Sequence, residues 1–168
     1  QNFMKKAAES DERMIRLVNE KTFHAMNTTI QFIGSGVFER FPRLKILFIE
    51  NELSWIPHPL AGWDKYCARG RFDSEMTMLP SEYFKRNVFS TFFSDPAARY
   101  LLKEEPWLVD NALWSSDFPH NNTTWPKSRE AVEKGLGHLP EDAQAKMLHC
   151  TVKTLFRLPD IQPLRIAA

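Results

Sequence analysis

Between residues 11 and 33 the positions Ile15, Val18, Thr22, Met26, Ile30 and Ile33 recur at steps of three and four. That spacing puts them on one face and predicts an amphipathic helix. Ser10 is placed to cap its start and Gly34-Ser35-Gly36 to stop it. The pattern then changes. KILFIE, residues 45–50, is a short apolar run without helical period and predicts a strand buried on both faces.

Ser54 caps a predicted helix beginning near Trp55, with Pro57 in its first turn and an irregularity at Pro59. RFDSEMTMLPS reads as a loop, and residues 80–86 as no more than a short helical turn. VFSTFF, residues 88–93, is rich in aromatic and β-branched residues and predicts a second strand. Asp95-Pro96 opens a helix that stops before Pro106. ALWSS, residues 112–116, is the third strand, and a loop leads from it to a helix from Trp125-Pro126 to about Lys134, ended by Gly135 and Gly137. The last helix spans 141–156, with Ala143, Met147, Leu148, Val152 and Leu155 on one side. Short buried strands alternating with helices predict βα units around a parallel sheet, in one α/β domain over residues 1–168. Three strands make that sheet small.

Composition narrows the function. Hydrophobic residues are 43% of the 168, enough for a core, and 22 basic against 21 acidic residues give no electrostatic footprint for nucleic acid or a membrane surface. No apolar run approaches the roughly 18–20 residues of a membrane span. Two distant cysteines, Cys67 and Cys150, suit reduced thiols, so a cytoplasmic location is expected.

Each predicted strand is followed by an acid: Glu50, Asp95 and Asp117. In α/β folds function gathers at the carboxyl ends of strands, where loops vary over a rigid sheet. Asp95 precedes a helix, and capping accounts for it. Glu50 suits either a solvated loop or a site. Asp117 has no helix to cap and follows an apolar strand, where an unpaired carboxylate is costly, so a functional role is expected of it. His120 lies in the same loop, and His58 follows the first strand. Trp55, Trp114 and Trp125 flank strand ends, where they wall a pocket for a flat substrate or fill the space between loops and sheet. The sequence has no HxH, no HExxH, no GxSxG elbow and no P-loop.

GVFERFPRLKILFIENELSWIP, WSSDFPHNNTTWPKSRE and LPEDAQAKMLHCTVKTLFRLP, taken together, resemble the amidohydrolase family that includes the amidohydrolase-related decarboxylases. The resemblance runs from about residue 30 to about 158. It implies a metal-dependent (β/α)₈ barrel acting as a hydrolase or decarboxylase on a small organic substrate, carboxylate or aromatic. By that resemblance Asp117 is a metal ligand or orients metal-bound water, and Glu50 stands where the decarboxylase branch carries a histidine and other members an acid. His120, Trp125 and Trp55 would line the substrate pocket. Thr151 replaces a usual Asn and Arg157 a usual Gly. The family's HxH on the first strand and its fifth-strand histidine are absent from this sequence. A whole barrel takes about 250 residues, so the chain reads as a C-terminal partial barrel whose strands are the sixth, seventh and eighth. Full-length relatives would hold a divalent metal, zinc above all; this chain alone is expected to bind none tightly and to be inactive. The alternative is a non-catalytic partial barrel that acts as a homo-oligomer or with a complementing chain.

Overall fold

A computed structural model describes residues 2–70 and 75–160, with the backbone alone for 2–15 and Val18. Residues 71–74 of the expected loop lie outside it. Three parallel strands, β1 (Ile46–Phe48), β2 (Val88–Phe92) and β3 (Ala112–Trp114), pair in the order β1-β2-β3, with Phe48 opposite Ser90 and Phe92 opposite Trp114. Helices separate them, as the alternation predicts: α3 (Pro57–Cys67) and α4 (Pro80–Asn87) between β1 and β2, and α5 (Ala98–Glu104) between β2 and β3. The arrangement is a partial (β/α)₈-type barrel. A 3₁₀ turn, Pro106–Asp110, completes the second crossover. Before the sheet come α1 (Asn2–Gly34) and α2 (Val37–Arg40); after it come α6 (Ser128–Leu136), α7 (Glu141–Ala145) and α8 (Thr151–Phe156).

Several boundaries differ from expectation, each for a local reason. α1 begins well before Ser10, which therefore lies inside the helix and not at its start. It ends as expected: Gly36 takes φ 70° and its N–H donates to the Ile33 carbonyl. The buried stripe is Ala25, Thr29 and Ile33, one residue off the predicted face, with the Thr29 hydroxyl satisfied by the Ala25 carbonyl at 2.8 Å. Ser54 does not cap α3; its hydroxyl donates to Asp95 across the sheet rim. α4 is a full two-turn helix. Pro80 starts it, the Glu82 carboxylate accepts the Leu79 N–H at 2.7 Å, and Tyr83 and Phe84 are fully buried. α6 starts after Trp125-Pro126 and runs through Gly135, because Leu136 is buried. A π-wound turn, Lys146–Cys150, joins α7 to α8 inside the expected last helix.

β2 is buried throughout, as the middle strand of a sheet must be. β1, expected to be buried on both faces, is only half-buried: among the described residues it pairs with β2 alone and lies at the sheet edge. Around β2 an aromatic relay runs from Phe48 to Trp55, Phe84 and Trp107, with centroids 5.8, 6.1 and 6.0 Å apart and rings near perpendicular. Edge-to-face pairs of this kind add roughly 0.5–1.5 kcal/mol each beyond area burial. Buried Asn111 donates to the Lys85 and Val88 carbonyls at 3.0 and 2.7 Å, tying the junction of α4 and β2 to the start of β3.

Two residues in this frame carry unspent energy. Arg157 ends α8 with φ 51°, the left-handed position that favours glycine. Replacing it, Arg157→Gly, should stabilise the protein by about 1 kcal/mol and raise Tm by ~2–4 °C in a thermal melt; an unchanged or lower Tm contradicts the strain. Trp55 is 7% exposed and its indole Nε1 finds no partner among the described residues. Trp55→Phe keeps a ring against Phe48 and Phe84 and removes the orphan donor, so urea unfolding should show a cost within about 1 kcal/mol, against ~3–5 kcal/mol for Trp55→Ala. A Phe variant as damaging as the Ala variant would mean that the N–H has a protein partner.

Candidate metal centre at the strand exits

Because all three strands run the same way, their exits share one rim. Glu50 leaves β1 by two residues and Asp117 leaves β3 by three, so β2 lies between the loops that carry them. Thr91 of β2 ties the first loop down: its hydroxyl accepts the Glu50 N–H at 2.8 Å and its carbonyl the Glu52 N–H at 3.1 Å. Glu50, Glu52 and Asp117 all take left-handed φ, between 58° and 59°. Such backbone costs roughly 1–2 kcal/mol per residue and persists only where surroundings enforce it. It turns both acidic loops sharply at the rim.

The second loop folds back on itself. The Ser116 carbonyl accepts the Thr124 N–H at 3.0 Å and the Thr123 hydroxyl at 2.8 Å, and the His120 N–H donates to the Asp117 carbonyl at 2.9 Å. That turn brings His120 Nδ1 to 3.0 Å from Asp117 Oδ1 and 3.6 Å from Glu50 Oε1. Glu50, Asp117 and His120 thus each offer a ligand atom, all within 4.8 Å of one another. Two carboxylate oxygens and an imidazole nitrogen suit a divalent manganese or zinc ion. Three such ligands fit part of a coordination shell and leave it incomplete.

The cluster opens on a cleft of about 690 Å³ lined by Lys21, Glu50, Glu52, Trp55, Asp95 and Asp117 among others. The Asp117 side chain is 13% exposed and that of Glu50 33%. Glu50 is held below the usual carboxylate range, first by a hydrogen bond and then by the charge of Lys21, whose Nζ lies 2.7 Å from Oε2. Glu52 is pushed the other way, first by burial and then by the Asp95 charge. Neighbouring acids on one loop therefore differ in how tightly they hold a proton.

Of the residues expected at the site, Glu50, Asp117 and His120 converge. Trp55 lies in the cleft wall, almost buried. Neither His120 nor Trp125 is among the cleft's lining residues: His120 stands beside the cleft against Asp117, and Trp125 is 61% exposed and leans on Phe118 at 5.8 Å. Asp95 is occupied structurally, but not as the expected helix cap: Ala97 is the N-cap of α5 without a side-chain cap bond. The Asp95 carboxylate accepts the N–H groups of Leu53, Ser54 and Ala97 at 2.9, 2.7 and 2.9 Å, tying the β1 exit loop to that of β2. His58 is exposed on α3. Lys21 and Glu52 were not anticipated. A signal for Lys21 exists, since it precedes Ala25 by one helical turn and so continues the buried stripe as a lysine. Glu52 has none, because its placement follows from a loop conformation without periodicity.

The amidohydrolase family model matches residues 21–158. No curated protein matches the chain. Among solved structures, 5-carboxyvanillate decarboxylase of Sphingomonas paucimobilis is similar at 27% identity and TM-score 0.61, over 77% of this chain and 38% of that one. Dihydroxybenzoic acid decarboxylase of Polaromonas sp. JS666, solved with bound manganese and the inhibitor 2-nitroresorcinol, shares the fold at 19% identity and TM-score 0.65, over 86% and 43%. The 2,6-dihydroxybenzoate decarboxylase of Rhizobium does so at 18% and 0.64, over 81% and 42%. The chain spans less than half the length of these structures. Its strand order, its acidic rim and a family match covering most of its residues agree: the chain belongs to the amidohydrolase family.

Proposed function

We propose that this chain forms part of the catalytic rim of a metal-dependent enzyme acting on a small aromatic carboxylate, with decarboxylation favoured over hydrolysis. The observation that carries the reading is the convergence of Glu50, Asp117 and His120 beside a 690 Å³ cleft. The similarity to decarboxylases of aromatic acids supports the substrate class. A divalent ion there would supply charge to orient the substrate and stabilise developing negative charge. Asp117, the most buried of the three, would be the firm ligand, and His120 would support it from the same loop. Glu50 would lend one carboxylate oxygen to the ion and, with the other, move a proton or face the substrate. Trp55 would bring its unpartnered N–H to the cleft wall, and Trp125 with Phe118 an exposed aromatic lip.

Three ligands from two loops hold a metal weakly, and the isolated chain should turn over little substrate. Purified protein should carry no stoichiometric divalent ion, while added Mn²⁺ should bind weakly in a water-proton relaxation titration. Asp117→Asn should weaken that binding at least tenfold. Tight stoichiometric metal in the purified chain would contradict the incomplete site, and unchanged Mn²⁺ affinity in the variant would contradict Asp117 as ligand.

A second reading rests on the sheet edges. Among the described residues β1 and β3 each pair only with β2, and Ile49, at the exit of the β1 edge, is 60% exposed. Open edges and exposed apolar side chains are surfaces that other chains cover. In this reading the protein associates, with itself or with a chain that supplies further strands. Light scattering on the purified chain should then give a mass above the monomer; a monodisperse monomer contradicts it.

A further inference from the structure

Among the described residues Lys21 is the only cationic side chain in the cleft lining, against four carboxylates: Glu50, Glu52, Asp95 and Asp117. It comes from α1, outside both acidic loops, and reaches the rim to place its ammonium 2.7 Å from Glu50 Oε2. The other oxygen of the same carboxylate, Oε1, faces His120 Nδ1 at 3.6 Å. One carboxylate is therefore shared between a lysine and the candidate metal cluster.

Two cations cannot both sit against one small carboxylate without repelling each other. A divalent ion entering between Glu50, Asp117 and His120 puts two positive charges where Lys21 now supplies one. The Lys21 side chain is half exposed, at 52%, and its ammonium hangs on a flexible stem, so it can swing off Glu50 at little cost. Once off, it remains at the mouth of a cleft whose other charged lining groups are all acids. An acid substrate entering such a cleft needs a positive group besides the metal.

We propose that Lys21 is a resident counter-cation that a divalent ion displaces from Glu50, and that the freed ammonium then receives the carboxylate of the substrate. This rests on the function proposed above and adds the group that recognises the acid. The exchange couples the two ligands: metal binding releases the lysine, and the lysine then holds the anion beside the metal.

The test is one substitution with two effects of opposite sign. Lys21→Met keeps the length of the stem and removes the charge. Water-proton relaxation titration with Mn²⁺ should show the variant binding the ion roughly tenfold tighter than the unaltered chain, a figure set for a partly exposed pair. At saturating Mn²⁺, calorimetric titration with 2,6-dihydroxybenzoate should show the variant binding at least tenfold more weakly. Lys21→Arg, which keeps the charge, should stay within a few fold on both. A lysine with only a structural role would weaken both ligands or change neither. Mn²⁺ affinity that is unchanged or lower in Lys21→Met, or carboxylate affinity that is unchanged, overturns the proposal. Asp117→Asn in the same titration separates the two claims. If it weakens Mn²⁺ while Lys21→Met has no effect, the counter-cation falls and the metal site stands; if neither variant moves the Mn²⁺ affinity, both fall.

Discussion

Parallel pairing of β1 and β3 to the same central strand is the constraint on which the rest depends. Hydrogen-bonded register leaves the strands no freedom to slide, so the ends of β1 and β3 are fixed on either side of β2. Two loops far apart in sequence then leave the sheet on one rim, about two strand spacings apart. Thr91, on the strand between them, satisfies two backbone donors of the first loop and so fixes where Glu50 points. The buried aromatic relay and Asn111 hold the crossovers beneath that rim. The chemistry is a consequence of this geometry, since neither loop alone brings together more than two of the three candidate ligands.

Electrostatics at the rim is unbalanced by design of the same geometry. Asp95 has its charge absorbed by backbone N–H groups and serves structure. Glu50, Glu52 and Asp117 are left with one lysine and one exposed histidine nearby. An excess of carboxylate in a partly enclosed cleft is unfavourable unless a cation shares it. That excess is the physical reason to expect a metal, and it is also why Lys21 lies where it does.

How much of this could be read from the residues depended on how local the cause was. Strands VFSTFF and ALWSS were legible because burial from both sides leaves an unmistakable apolar run. KILFIE was legible as a strand but not as an edge, since nothing local records what pairs beside it. α4 was underestimated because its stability comes from Tyr83 and Phe84 docking into the core, a tertiary effect. Ser10 and Ser54 had the right residue type for caps, yet α1 extends past one and Asp95 claims the other. At the site, Asp117 stood out because a carboxylate after a buried strand is costly without a purpose. Glu50 remained ambiguous until its loop could be seen folded beside that of Asp117. Lys21 left only a faint trace, a lysine one turn before Ala25, because its role arises from a helix crossing the rim, and Glu52 left none, because its role arises from a left-handed turn.

The central claim is that Glu50, Asp117 and His120 form one side of a divalent-metal site. Crystals of this chain soaked in Mn²⁺ would test it most directly, by anomalous difference density. The account predicts a peak within coordination distance of both carboxylates and the His120 ring. Density elsewhere on the protein, with His120 still resting on Asp117 and no peak between the loops, would contradict it.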